Sequence, residues 1–258
     1  VEIKMVLSRF ENKTIVVTGA GTGMGRAAAM RLASEGAKTV LVGRRREPLE
    51  HVVDEIVAKG GIASAIVCDI SSDAALTDMV QRVVGDDGRR IDGLFANAGV
   101  FGEFRPLAET DIAYFEGLIA TNLLGTFLTI KHCLPFLEGG AIVINASWTV
   151  NSVMPGAGAY ASTKGALIAM MHTLAAEQGP RNIRVNAISP GIILTPMADE
   201  VLDHEFCARL ASHAHLRRNG TPEDIEGTVA WLLSEDARFV TGQDIVVDGG
   251  FTLGGPRG

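Results

Sequence analysis

Seven short apolar runs recur along the chain: TIVVT at 14–18, TVLV at 39–42, SAIVC at 64–68, GLFA at 93–96, AIVINA at 141–146, IRVNAIS at 183–189 and DIVV at 244–247. Most are apolar nearly throughout instead of alternating, which is the pattern of strands buried on both faces. Between them, apolar residues return at helical spacing over 24–35, 46–58, 73–84, a long stretch around 111–137, 158–178 and 222–234. Strands that alternate with helices in this way predict a parallel sheet, joined by right-handed crossovers and covered by helices on both faces. The expected fold class is therefore α/β: one doubly wound domain over 1–258 with a seven-stranded parallel sheet. One helix marks its own start, because Thr221 can cap it, Pro222 suits its first position and Asp224 favours its exposed amides. The segment 190–220 is too long for an ordinary connection and is expected to be partly helical, with a substrate lid at about 192–220.

Composition and charge narrow the classes of function. With 258 residues, 47% of them hydrophobic, the chain can bury a full core. Its net charge of -7 argues against a nucleic-acid partner, since phosphate binding needs a basic surface. Cys68, Cys133 and Cys207 are widely spaced and show no C-x-x-C or metal-ligand pattern, so no metal site is expected and a reducing cytoplasm fits best. The N-terminal VEIKMVLSRFENK mixes charge with short apolar runs and reads as no signal peptide. No uninterrupted apolar run reaches a membrane-spanning length, so no membrane contact is expected.

Two local patterns carry chemistry. Directly after the first strand, TGAGTGMGRAAAMRLASEG leads into a helix through Gly19, Gly21, Thr22, Gly23, Met24 and Gly25. Glycines there permit a tight turn, close approach of backbone to a pyrophosphate, and a helix N-terminus facing the anion. A merely structural turn would also use glycine, but the strand before and the Ala-rich helix after supply the context that phosphate binding requires. In GAYASTKGAL, Tyr160 and Lys164 stand one helical turn apart among small residues. A cation beside a phenol favours the phenolate and makes a usable acid and base, although Y-x-x-x-K alone also describes two residues that merely share a helix surface.

Taken with Asn97-Ala98-Gly99, Asn122, Ser147 and Pro190-Gly191, these motifs resemble the classical short-chain dehydrogenase/reductase family over essentially the whole chain. Ser147 lies thirteen residues before Tyr160, and Ala96 stands where the family more often has a first Asn. The resemblance implies a Rossmann-type fold and an enzyme that interconverts a carbonyl and an alcohol by hydride transfer. It implies Tyr160 as proton donor and acceptor, Lys164 lowering its pKa and holding the nicotinamide ribose, Ser147 on the reacting oxygen, and Asn122 holding a water beside Lys164. It places Asp69 and Ile70 by the adenine, Asn97 by the adenine-side ribose and diphosphate, and Ile193 and Thr195 by the carboxamide and diphosphate, with Ala98, Gly99, Pro190 and Gly191 also among the cofactor-binding residues. Trp148, Met154, Met197 and Leu202 fall on its substrate-pocket segments, implying an apolar ketone or secondary alcohol, although each could equally be core. It also implies a homotetramer.

The choice of nicotinamide cofactor can be read from VLVGRRREPLE. Gly43 stands at the end of the second strand, where an acid would bind the adenosine 2′-hydroxyl of NAD, and Arg44, Arg45 and Arg46 follow. Guanidinium groups can grip a 2′-phosphate, so NADP(H) is expected, with NAD(H) the second choice. A regulator that binds a dinucleotide without chemistry is the non-enzymatic alternative, but it would have no need of Asn122, Ser147, Tyr160 and Lys164 together.

Overall fold

The computed structural model describes residues 8–86, 88, 90–199 and 203–254, with backbone alone at Asp199 and His204. Seven strands, β1 (Thr14–Thr18), β2 (Lys38–Gly43), β3 (Ile62–Val67), β4 (Gly93–Ala96), β5 (Ala141–Asn145), β6 (Arg184–Pro190) and β7 (Asp244–Val247), form one sheet in the order β3-β2-β1-β4-β5-β6-β7. Every pairing is parallel. The third strand starts earlier than its apolar run, because its ladder to β2 already holds at Lys38↔Ile62.

Alternate strand residues face opposite sides. Val16, Val42, Leu94, Ile142 and Val185 join one apolar cluster with α3 (Asp73–Val84), α5 (Gly125–Cys133) and α6 (Gly158–Gln178). Ile15, Val17, Leu41, Phe95 and Val143 join the other with α1 (Gly23–Ser34), α2 (Arg46–Ala58) and α9 (Pro222–Leu233). Ala27, Ala28 and Ala29 are buried on α1, whose small side chains let it lie close against α9. The order reverses between β1 and β4, so the crossovers leave on opposite faces and a crevice opens at the strands' C-terminal ends.

The stretch expected as one helix near 111–137 is interrupted. It runs as α4 (Ile112–Leu118), a π-helical turn (Ile119–Leu124), α5 and a final 3-10 turn (Leu134–Phe136). By length and composition Ile112–Phe136 is apolar enough to cross a membrane, although its polar residues break it into shorter apolar runs; in the fold it packs against α3, β4 and α6. The long segment after β6 is partly helical as expected, with α7 (Pro196–Asp199) and α8 (His204–His213), and its two ends meet in a bridge between Ile193 and Gly220. At α9 the Asp224 carboxylate accepts from the Thr221 amide at 2.8 Å, reaching back across the first turn.

Candidate active site

The crevice is walled by backbone. Gly19 and Gly23 adopt φ of +66° and +54°, a left-handed conformation that costs glycine nothing. A Cβ on Gly25 would lie 2.3 Å from the Gly19 carbonyl oxygen, so only glycine lets α1 start this close to the turn. The Thr18 hydroxyl accepts from the Asn97 and Ala98 amides, both at 3.0 Å, and stitches β1 to the end of β4. The Asn97 side chain is committed to the same frame: its Nδ2 donates to the Thr18 carbonyl at 2.9 Å and its Oδ1 accepts from Asn145 Nδ2 at 2.9 Å.

The helix starts fall into two groups. Ser72, Asp111 and Asp203 cap α3, α4 and α8 with their own side chains. By contrast Thr22 and Arg45, at the starts of α1 and α2, make no side-chain cap, and α1 has no acid in its first turn. Both helices open onto the crevice, whose lining includes Gly19, Gly21, Thr22, Gly23, Met24, Arg44, Arg45, Asp69, Ile70, Asn97, Ala98 and Gly99. Unsatisfied amides and a positive dipole end make this a place for an anion. Arg46 is paired with Glu50, whereas among the described residues no hydrogen bond or ion pair holds Arg44 or Arg45. Arg44 does lie near enough to help hold the Asp69 carboxyl below its usual range, behind the larger effect of its hydrogen bonds from Ser71.

At the inner end of the crevice, α6 brings in Tyr160 and Lys164. Lys164 is 4% exposed; its Nζ donates to the Asn145 carbonyl at 2.7 Å and lies 5.7 Å from the centre of the Tyr160 ring. Burial pushes its pKa down to about 8. Burial likewise pushes the Tyr160 phenol up to about 12, against which the nearby Ser147 side chain works in the lowering direction. The resemblance implies that the lysine lowers the phenol; burial is instead the leading cause at both groups, and Lys164 is not among the causes that act on Tyr160.

Ser147 follows β5 and begins a 3-10 turn (Trp148–Val150), and its Oγ accepts from the Thr149 amide at 3.2 Å and the Thr149 hydroxyl at 2.9 Å. Asn122 sits in the π-helical turn and is fully buried. Its side chain is spent on the backbone after β4, accepting from the Val100 amide at 2.8 Å and donating to the Val100 carbonyl at 2.9 Å. A third contact, to Thr163 Oγ1 at 3.3 Å, ties it to α6. Gly99 fits between: a Cβ there would stand 3.0 Å from Asn122 Oδ1 and 3.6 Å from Lys164 Nζ.

A second cavity, of about 100 Å³, opens on the other side of Tyr160 and Ser147. Trp148, Met154 and Met197 line it, joined by Pro190, Gly191 and Ile193, while Met24, Thr195 and Asn145 border both spaces. Leu202 lies outside the described residues. Sequence reasoning missed Phe101 and Phe104, which wall this cavity. Their signal in the sequence is slight, two phenylalanines on a strand-to-helix connection with nothing to say which way they turn.

Comparison with known proteins decides the family. A family model described as enoyl-(acyl carrier protein) reductase matches residues 19–252. The chain is 35% identical over 257 residues to the 7alpha-hydroxysteroid dehydrogenase of Clostridium sardiniense, covering 97% of each. A short-chain type dehydrogenase/reductase from Mycobacterium marinum superposes with a TM-score of 0.90 at 30% identity, over 96% of this chain and 98% of that one. The chain belongs to the short-chain dehydrogenase/reductase family. Levodione reductase has the same fold, with a TM-score of 0.92 at 32% identity over 96% of this chain and 100% of that one.

As a short-chain dehydrogenase/reductase the protein is an oxidoreductase of alcohol and carbonyl substrates that uses a nicotinamide dinucleotide. The residues present fit that group. A diphosphate suits the glycine turn and the uncapped starts of α1 and α2. The Asn145 Oδ1 atom, buried without a hydrogen-bond partner, stands where crevice and cavity meet.

Proposed function

We propose that the protein interconverts a ketone or aldehyde and the corresponding alcohol, with NADP(H) preferred and Tyr160 as the general acid and base. The observation that carries this reading is the position of Tyr160, set with Ser147 on an uncharged cavity at the place where that cavity meets a phosphate-ready crevice. When bound, the reduced nicotinamide supplies a hydride. The chain's own part is to hold and protonate the oxygen. Ser147, its Oγ fixed by Thr149, hydrogen-bonds the reacting oxygen, and Tyr160 hands it a proton. Lys164 places a cation against the crevice, and Asn122 keeps the Val100 backbone and the π-helical turn in register behind it. The segment at 192–220 serves as the lid over the substrate.

Ionisation suits Tyr160 to proton donation at neutral pH. A phenol at about 12 keeps its proton at neutral pH and is a donor there. Lys164, at about 8, loses its charge as pH rises through that value. Because kcat/KM reports the free enzyme, its value for carbonyl reduction should fall above about pH 8. NADP is favoured over NAD by Arg44 and Arg45, two unpaired guanidinium groups lining the crevice at the end of β2, where the chain carries Gly43 and no acid.

A homotetramer is supported by two exposed apolar faces. Leu124 and Phe127 project from the α4–α5 helix, while Phe239 and Val246 are exposed at and just before the edge strand β7. Unpaired edges and apolar patches of this kind are covered by association. Nucleotide oxidation over a panel of ketones and aldehydes, NADPH against NADH, tests the whole reading. Tyr160→Phe should reduce turnover by about 10²- to 10⁴-fold while nucleotide binding persists. Undiminished turnover in that variant would remove Tyr160 from the chemistry.

A further inference from the structure

The cavity beside Tyr160 and Ser147 has a shape and chemistry that narrow the substrate beyond a carbonyl compound. Among its described lining residues none is Asp, Glu, Lys, Arg or His, so a charged substrate group would be desolvated there without a partner. Its volume of about 100 Å³ is small. Typical ligand pockets reach several hundred Å³, and benzene alone takes a closed cavity of about 150 Å³, so one six-membered ring already fills this open space to its mouth.

The walls are aromatic and held in place. Phe101 leans on the Tyr160 ring at 4.7 Å between centroids and meets Phe104 edge-on at 5.3 Å. Trp148, which also lines the cavity, is held edge-on by Phe251 at 4.8 Å. The loop that carries the two phenylalanines is fixed by its backbone: Gly102 sits at φ +78° directly over the Tyr114 hydroxyl, which accepts from the Glu103 amide at 2.6 Å and donates to the Glu103 carbonyl at 3.0 Å. The Arg105 amide donates to the Gly156 carbonyl at 3.0 Å and closes the loop onto the segment before α6. From the lid, Phe206 of α8 reaches Phe104 at 6.2 Å. The slot is therefore preformed, and flat rings line it.

A preformed slot of this size selects for compactness. A ring gathers the most carbon within a given distance of the reacting oxygen and has little conformational freedom to lose on binding. An open chain of the same carbon count must fold up, and a fused tetracycle extends past the open mouth with most of its rings beyond the aromatic walls. We infer that the substrate is an uncharged alicyclic ketone of a single six-membered ring, or its alcohol, with the ring held between Phe101, Phe104 and Trp148.

This inference rests on the carbonyl-reductase reading, and the test separates the two. Steady-state reduction of cyclohexanone, 2-hexanone and a tetracyclic steroid ketone is measured with saturating NADPH, in the wild type and in Phe101→Ala and Phe104→Ala. Both side chains are only half-buried on a loop, so the variants should fold; near-unchanged thermal midpoints check this. Cyclohexanone should exceed 2-hexanone in kcat/KM by at least about tenfold, the scale on which an apolar pocket discriminates by a single methylene. Each variant should bring that ratio towards one while raising the relative rate on the larger ketone. Equal turnover of ring and chain, or a steroid turned over best by the wild type, overturns the single-ring assignment and leaves the reductase reading standing. A wild-type preference that neither variant moves overturns the role of the two rings. Consumption of none of the three, nor of other ketones and aldehydes, overturns the reductase reading beneath it.

Discussion

The crevice proposed for the cofactor and the cavity proposed for the substrate share Tyr160, Thr195, Asn145, Met24 and Met197, yet they are built from different materials. Backbone forms much of the crevice: glycine turns, uncapped helix starts and strand ends. Side chains from loops and a lid form most of the cavity, notably Phe101, Phe104, Trp148, Met154 and Met197. A backbone site admits few sequences and keeps its shape when a surface residue changes. A side-chain site can be recut one residue at a time, which is how one fold serves many substrates.

The largest effect should come from adding one carbon to the crevice. In Gly25→Ala the new Cβ would meet the Gly19 carbonyl at 2.3 Å and Asn97 Nδ2 at 2.6 Å, so the turn or α1 must shift. We expect a loss of about 1–3 kcal/mol in stability and loss of nucleotide binding, read by chemical denaturation and fluorescence titration. The matched control is Gly227→Ala in α9, where a Cβ meets nothing within 4 Å. That change should be neutral or stabilising by up to about 1 kcal/mol. Equal behaviour of the two variants would mean that close packing does not set the crevice.

Next in size is the anion end. Arg44→Asp with Arg45→Ala should weaken NADPH by about 10- to 100-fold, the scale of charged hydrogen bonds, and leave NADH nearly unchanged. Equal losses for both nucleotides would show that the arginines serve the shared diphosphate or the fold and not a 2′-phosphate.

The same difference in material explains what is legible in the sequence. Gly19, Gly23 and Gly25 announce the crevice because glycine is required at fixed backbone positions, and the parallel strands announce themselves as continuous apolar runs. Tyr160 and Lys164 are legible because one helix fixes their spacing. The π-helical turn that seats Asn122 is not legible, since nothing in ATNLLGTFLTI distinguishes it from ordinary helix. Phe101 and Phe104 are not legible either: their direction depends on Gly102 turning left-handed over Tyr114, whose hydroxyl holds Glu103 from eleven residues along the chain. Asn97 is legible as a site residue, but its side chain braces β1 and Asn145, a use that appears only when strands from distant sequence become neighbours.

The smallest expected effect concerns how the lid segment is tethered at its far end. Asp224 accepts from both Arg218 terminal nitrogens, at 2.6 and 2.7 Å, and from the Thr221 amide, so it fastens the end of the segment that follows β6, the proposed lid, to the start of α9. The Arg218 hydrogen bonds, then the Thr221 amide, lower its carboxyl from 3.8 to about 2. A folded-state pKa depressed in this way adds stability that is fully present above about pH 4 and is lost as pH falls through about 2. Asp224→Asn keeps the size but not the charge. Because the pair is exposed to solvent, the variant should cost about 1 kcal/mol or less at neutral pH. Its thermal midpoint should approach that of the wild type as pH is lowered from 4 towards 2, where the wild-type carboxylate takes up its proton. Substrate KM should rise in the variant at neutral pH while nucleotide affinity stays put, since the tether serves the side-chain site and not the backbone one. A nucleotide affinity that fell in step with KM would mean that lid and crevice move as one body, and the division between the two sites would fail at that point.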